Sequence, residues 1–432
     1  MRKNINIILL TCASLFLSKV HAKGFLELRQ SELVNENANI DSFTSYAELL
    51  LKEKQSFLGD FTYSHDLSFR KYNNENSPLI AISEVYVSYK MSENISTTLG
   101  RKRLNWNEAS QFWAMGEIYS AKGFNGINDE EEGTTGLHLN YSNKYFYSDF
   151  VISAISIPSL NPGLNISDGT ITAKSEWSAP PPTDVRFEGQ DIPIEYNVDM
   201  PPISDLLVKE SVALRLGFRS LLGDISLFGG RKPEPSARIN ATGFLDQSGE
   251  SKAVVTARPF VNMQNFMGAS WSKNWNKNFT TAANYEYINP EHGRDSSFEF
   301  AGFKIEPVYN NISYGSFLAR WTSDFFSLAV HGLQAFKRYD ATDATFAKRL
   351  RFEKAYGVNL DWQLTDSLYS GIRYQVDVRN EDTLVSSYAK LRFSRKAEVG
   401  FRYQQVDSET DNSYWSRFRE NDLWQVWFGY HF

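Results

Sequence analysis

Cysteine occurs once, as Cys12, so the chain can form no intramolecular disulfide and no cysteine-based metal site. Long apolar runs are equally scarce: after residue 22 nothing approaches the ~20 apolar residues that a membrane-spanning helix needs. Of six histidines, only His65, His138, His292, His331 and His431 lie beyond the first 22 residues. None stands in a nucleophile or metal motif, so neither catalysis nor a cofactor is expected. His138, between Leu137 and Leu139, reads as a wall histidine, and Gly229-Gly230 before Arg231 lacks the Gly-Lys-Ser/Thr of a phosphate loop and reads as a strand end. Proline is thin everywhere except 158–205, which holds eight of the 14, including Pro180-Pro181-Pro182 and Pro201-Pro202. That density is expected to exclude regular helix and central strand there.

What is present starts with Arg2 and Lys3, the mostly apolar stretch Ile5 to Leu17, and the small-residue site Val20-His21-Ala22. This pattern reads as a cleaved secretory signal peptide over 1–22, with one domain over 23–432. Thr11 before Cys12, and Leu15, Phe16 and Leu17 after it, argue against lipid attachment. Removing Arg2, Lys3 and Lys19 takes the net charge from −6 to −9, which disfavours nucleic acid as a partner.

Mean hydropathy is −0.41, a soluble value, yet the chain carries 22 Tyr, 31 Phe and 10 Trp. A transmembrane barrel resolves this tension, because lipid-facing residues alternate with polar lumen-facing ones and aromatics gather at both interfaces. The alternation is explicit. Leu368, Ser370, Ile372, Tyr374 and Val376 share one face, and Tyr369, Gly371, Arg373, Gln375 and Asp377 the other. Val385, Ala389 and Leu391 alternate with Ser386, Tyr388 and Lys390; Val399, Phe401 and Tyr403 with Glu398, Gly400 and Arg402; Val212, Leu214 and Leu216 with Ala213, Arg215 and Gly217. A soluble β-sandwich also buries one face, but bulky polar-face side chains on strands of about 9–12 residues suit a tilted bilayer crossing.

Connections alternate as well. Short links at 91–94, 142–144, 220–224, 322–324, 363–366 and 394–396 are interleaved with long ones at 105–132, 158–205, 232–251, 338–350 and 407–420. Short periplasmic turns and long outer loops are the barrel habit. The segment Leu423 to Phe432 places Trp424, Val426, Phe428, Tyr430 and Phe432 on one face. It resembles the terminal strand of bacterial outer-membrane proteins. That resemblance implies recognition by barrel-assembly machinery through Trp424, Phe428, Tyr430 and Phe432, with outer-membrane lipid as the surroundings.

The fold expected is therefore all-β: an antiparallel transmembrane barrel of about 18 strands, within 16–20, with long extracellular loops. Alternation begins near Gly24, leaving no room for a separate N-terminal plug. The segment 105–132 carries Trp106, Phe112, Trp113 and Met115 ahead of Asp129-Glu130-Glu131-Glu132, too apolar for a solvated loop, and is expected to fold inward. Leu99-Gly100-Arg101 followed by Trp106 resembles a pattern of large porin-like families, including the alginate-export type, although Asn107 stands where such families often show Gly. The resemblance covers about thirty residues and implies a substrate-conducting channel.

The candidate pore-lining cations are Arg101, Arg103, Arg215, Arg219, Arg373, Lys390, Arg392 and Arg402, with Glu84, Glu286, Asp361, Asp377 and Glu398 opposing them. Trp106, Trp113, Asp129 and Glu130 are the candidate constriction. A cationic wall of low dielectric concentrates anions, which points to small hydrophilic solutes, anionic ones favoured. The plainer alternative is that these cations only pair with lumen acids and hold the wall. A surface-binding barrel using its acidic loops is the competing function, and an enzyme a remoter one. Monomer against trimer stays open; no strand shows a flat small-residue face for subunit packing, which favours monomer.

Overall fold

The computed structural model describes residues 23–432 other than 35–42, 58, 74–78, 116–117, 124–126, 128–129, 161–162, 174–176, 179, 249, 292–297, 301–302, 306–310, 337–349, 412 and 420. The signal-peptide reading lies outside the described residues.

Eighteen strands form one antiparallel sheet that closes on itself. They are β1 Lys23–Leu33, β2 Phe43–Phe57, β3 Phe61–Tyr72, β4 Leu79–Lys90, β5 Ile95–Lys102, β6 Thr134–Ser142, β7 Phe146–Ser153, β8 Ser211–Ser220 and β9 Gly223–Pro233. They continue as β10 Met263–Asn274, β11 Phe279–Pro290, β12 Ile312–Thr322, β13 Phe326–Ala335, β14 Lys354–Gln363, β15 Leu368–Asp377, β16 Asp382–Arg392, β17 Ala397–Ser408 and β18 Leu423–His431. Each strand pairs with the next in sequence, and β18 returns to β1 from Phe25↔His431 to Leu33↔Leu423. Closure leaves no free strand edge. The count agrees with the eighteen expected from the alternation.

The alternation has a direct spatial meaning. Phe317, Val330, Val358, Ile372, Phe401 and Val426 are exposed on the outer wall, while their neighbours Leu318, His331, Gln375, Gln404 and Gln425 turn inward and are buried. An apolar outer belt on a closed wall, where every strand is hydrogen-bonded on both sides, is the condition for crossing lipid with strands. No helix among the described residues is long and apolar enough to cross a membrane. The connections sort by end: the short ones join β4 to β5, β6 to β7, β8 to β9 and their counterparts, on the side where β1 begins and β18 ends, and the long ones lie opposite.

Two long connections build structure of their own. Residues 154–210 and 234–262 contribute to a four-stranded sheet in which Gln190–Val198 pairs with Asp184–Phe187 and, in parallel, with Lys252–Phe260, itself paired to Arg238–Asp246. This corrects the expectation that proline excludes central strand and helix between 158 and 205. Gln190–Val198 is an inner strand containing Pro193, and a short helix, Ile203–Leu207, follows Pro201-Pro202. The reason is local. Pro193 sits where the strand changes partner, opposite Asp184, with Ile194 the first residue to pair with Lys252–Phe260, so its missing N–H breaks neither ladder. Pro202 caps the helix from outside, where an N–H is not needed.

Candidate functional site

The site begins at a paired kink. Gly100 of β5 and Gly136 of β6 face each other in register and both take positive φ, +130° and +154°. A Cβ on Gly100 would lie 2.2 Å from the Val85 carbonyl oxygen, so glycine is needed there both for the backbone conformation and for the close approach of β4. Beyond the kink the stem is fixed by charge. Arg101 reaches Glu132 at 2.7 Å with both side chains buried, and Arg103 reaches Asp66 at 3.1 Å, Glu84 at 3.9 Å and the Glu131 carbonyl at 2.8 Å. Gly100→Ala is expected to cost about 1–3 kcal/mol through overpacking at a positive φ. It should appear as a lower temperature of conversion from the folded to the unfolded gel band; an unchanged temperature would contradict the role given to this kink.

From that stem the described residues of the segment 103–133 reach across the lumen to the far wall. Asn107 donates to Glu286 of β11, which also accepts from Tyr314 of β12. The Phe112 carbonyl accepts from Gln375 of β15 at 3.0 Å, the Ile127 carbonyl from Arg373 of the same strand at 3.2 Å, and the Ile118 carbonyl from Lys232 of β9. Phe112 stacks on His331 of β13 at 4.6 Å, and Trp106 lies 5.9 Å from Phe228 of β9. Trp106 and Trp113 are buried, whereas Glu130 is half-exposed and pairs with Lys122 at 3.7 Å; Asp129 lies outside the described residues. Burial, with the Glu286 carboxylate adding repulsion, pushes Glu131 up to about 7 against the pull of Arg103 and Lys232. Burial likewise raises Glu132, with Arg101 opposing.

The inner wall that receives this segment is less polar than the strand alternation implies. Ala282, Leu318 and Ala329 point inward and pack with Ala109 and Phe112. Ile288, Ile312, Leu333, Leu384, Val406 and Leu423 join a larger interior cluster with Trp106, Trp113, Phe352 and Trp415. The signal in the sequence was a lapse of alternation, as in Phe317-Leu318-Ala319 or Leu384-Val385, where both faces are apolar.

The eight candidate cations are not one ring. Arg101 and Arg103 hold the stem. Arg215 meets Asp149 at 3.9 Å and the Tyr147 hydroxyl at 3.1 Å, and Lys390 and Arg392 share Glu398 at 3.5 and 3.8 Å. Arg219 sits at the short-turn end on Ser142 and the Asn143 carbonyl, and Arg373 meets Asn359 at 3.3 Å. Arg402 lies over the Trp427 ring at 5.7 Å. Among the acids, Asp361 accepts from Tyr388 at 2.9 Å, and Asp377 holds the backbone N–H groups of Lys354 and Arg379. Glu27, Glu48, Asp66, Asp149 and Glu132 are further interior acids that the strand reading left out.

Also left out was a stripe across the closing seam. Arg70 of β3 lies over Tyr46 of β2 at 4.2 Å, Arg29 of β1 over Tyr46 at 5.7 Å and over Trp427 of β18 at 5.2 Å, and Arg402 of β17 on the other side of Trp427. Cation and ring thus alternate over five consecutive strands of the wall, each contact worth roughly 0.5–2 kcal/mol depending on desolvation. Glu48 pairs with Arg70, and Glu27 with Arg29, both at 2.7 Å. No ion pair or hydrogen bond to Arg402 is found among the described residues. Because Arg29 and Arg70 occupy alternating positions in their strands, period-two analysis reaches them; the long-range stacking appears only when the chain closes.

On the outer side of this seam, Trp424, Phe428, Tyr430 and Phe432 are exposed in one row, and the Gly24 and Phe432 backbones exchange hydrogen bonds of 3.2 and 3.0 Å.

No protein-family model and no curated protein sequence matches the chain. Solved structures that are similar include a triple mutant of the porin of Rhodopseudomonas blastica, 9% identical, with 95% of this chain and 99% of that chain covered and a TM-score of 0.41. A second mutant of the same porin is 10% identical over the same shares, with a TM-score of 0.42. The strand count and closure above rest on the register of this chain and not on that similarity.

Proposed function

We propose that this protein is an outer-membrane channel for small hydrophilic solutes, that it favours anionic ones, and that it is not an enzyme. The observation that carries the reading is the interior of the barrel: a segment laid across the lumen, and a seam wall where Arg70 pairs with Glu48 and Arg29 with Glu27 while, among the described residues, no ion pair or hydrogen bond to Arg402 is found. Arg402 is thus the guanidinium of the seam stripe for which no ion pair is found among the described residues, in a confined, low-dielectric space. Such a site attracts an anion and repels cations, and a guanidinium can hold a carboxylate through paired hydrogen bonds. Among the described residues, five of the eight cations marked in the sequence form ion pairs with acids, so the wall uses charge structurally; the selectivity is assigned to the seam side, where no ion pair to Arg402 is found among those residues. The outer-membrane setting puts the long connections outside, and secretion through a cleaved leader and assembly by barrel machinery belong to the same proposal.

A second reading, surface binding, is favoured by the four-stranded sheet at the long-loop end, with Ile239 and Phe244 exposed on it. Liposome swelling separates the two. Vesicles carrying the purified chain should swell in sugar acids faster than in neutral sugars of equal size; no swelling in either would favour surface binding.

A further inference from the structure

One rung of the wall crosses four strands with opposite charges at its two ends. Asp361 of β14 is in register with Gly371 of β15, Gly371 with Tyr388 of β16, and Tyr388 with Arg402 of β17. All four lie on the inward face of their strands, at even spacing from the buried Ala355, Gln375, Ser386 and Gln404. Gly371 makes the rung possible, because a Cβ there would stand 2.5 Å from both the Asp361 carboxylate and the Tyr388 ring. Across that gap the Tyr388 hydroxyl donates to Asp361 at 2.9 Å. Asp361 is exposed and Tyr388 and Arg402 are half-buried, so the rung is open to the lumen. One inward position further along β15, Arg373 donates to the Ile127 carbonyl at 3.2 Å, which sets the inward segment along the long-loop side of the rung.

Resting on the channel reading, we infer that Asp361, Tyr388 and Arg402 form a saturable binding site for a single hydroxylated carboxylate of sugar size. The carboxylate of the ligand meets Arg402, for which no ion pair is found among the described residues, through charge-assisted hydrogen bonds. Its hydroxyls donate to Asp361, where Tyr388 occupies one oxygen and the ionised group keeps acceptor capacity for more. Between these ends the carbon skeleton crosses the Tyr388 ring, a side chain with an apolar body and a polar tip. That ring separates the two charged groups by a gap that a sugar-sized acid spans and acetate does not. Specificity comes from the acid as much as from the cation. A bare anion gains from Arg402 and is repelled by Asp361, so the rung sorts anions by their hydroxyls.

The test uses the full folded chain in a planar bilayer with equal potassium chloride on both sides, to which potassium gluconate, potassium acetate or 4-aminobutyrate is added. Gluconate is expected to reduce the current along a saturating curve, whereas acetate at equal ionic strength should show no saturable part. Arg402→Gln should raise the half-blocking gluconate concentration roughly tenfold or more, the scale of a hydrogen bond to a charged group. Asp361→Asn, close to the native side chain in shape, should raise it severalfold and weaken the discrimination against acetate; it supplies the test if Arg402→Gln fails to assemble. Conductance steps without saturable gluconate block, or with the wild-type half-blocking concentration in the folded variants, overturn the site and leave the channel standing. Stronger block by 4-aminobutyrate, whose ammonium pairs with Asp361, overturns the hydroxyl assignment. Absence of steps in wild type and both variants overturns the channel reading and the site with it.

Discussion

Deleting Phe432, or replacing it by Asp, is expected to leave most of the chain unassembled, with the membrane fraction losing its heat-modifiable folded band. Two terms add here. The Phe432 backbone exchanges hydrogen bonds with Gly24 at the seam, so deletion removes the last rung where β18 meets β1. Its ring ends the outward row Trp424, Val426, Phe428 and Tyr430, and a carboxylate in that row faces the apolar belt, where a charge is costly in a depth-dependent way. Phe432→Tyr, which keeps an interfacial aromatic, should retain assembly. Equal folded yield for wild type and Phe432→Asp would show that this residue carries neither the signal nor the closure assigned to it.

Replacing Arg373, Arg392 and Arg402 together by Gln is expected to shift the channel toward cations. The three stand on β15, β16 and β17, where Arg392 partly balances Glu398, Arg373 holds the Ile127 carbonyl of the inward segment, and Arg402 stacks on Trp427. Without them, Asp361, Glu398, Glu27 and Glu48 outnumber Lys390, Arg29 and Arg70 on that side of the lumen. A net change of three charges in a confined space should alter the anion-to-cation permeability ratio by roughly tenfold or more, the scale on which charged clefts concentrate counter-ions. Reversal potentials under a salt gradient report the ratio. A folded triple variant with the wild-type reversal potential would mean that these cations serve only the wall.

Much of the fold could be read from residue order because strand alternation is a local property. The alternation that begins at Leu368 marks the strand Leu368–Asp377, and the break between short and long connections followed from turn composition around 91–94 and 394–396. What escaped was non-local. The pairing of Arg101 with Glu132, the stack of Arg29 between Tyr46 and Trp427, and the meeting of Trp113, Phe352 and Trp415 join residues far apart in sequence, which no window of ten residues can show. The inward course of 103–133 was legible from its apolar content, but not which wall would receive it, because Ala282, Leu318 and Ala329 look like ordinary interruptions of alternation until the barrel closes. Pro193 misled for the same reason: a rule about proline in a strand concerns the neighbour it fails to bond, and the neighbours were unknown.

The central claim, that this barrel is an anion-preferring channel, is tested most directly by fusing the purified, folded chain into a planar bilayer between chambers of unequal potassium chloride concentration. The account predicts discrete conductance steps whose reversal potential has the sign of an anion-preferring pore. A tightly sealed bilayer containing folded protein, or steps with a cation-preferring reversal potential in wild type, would contradict it.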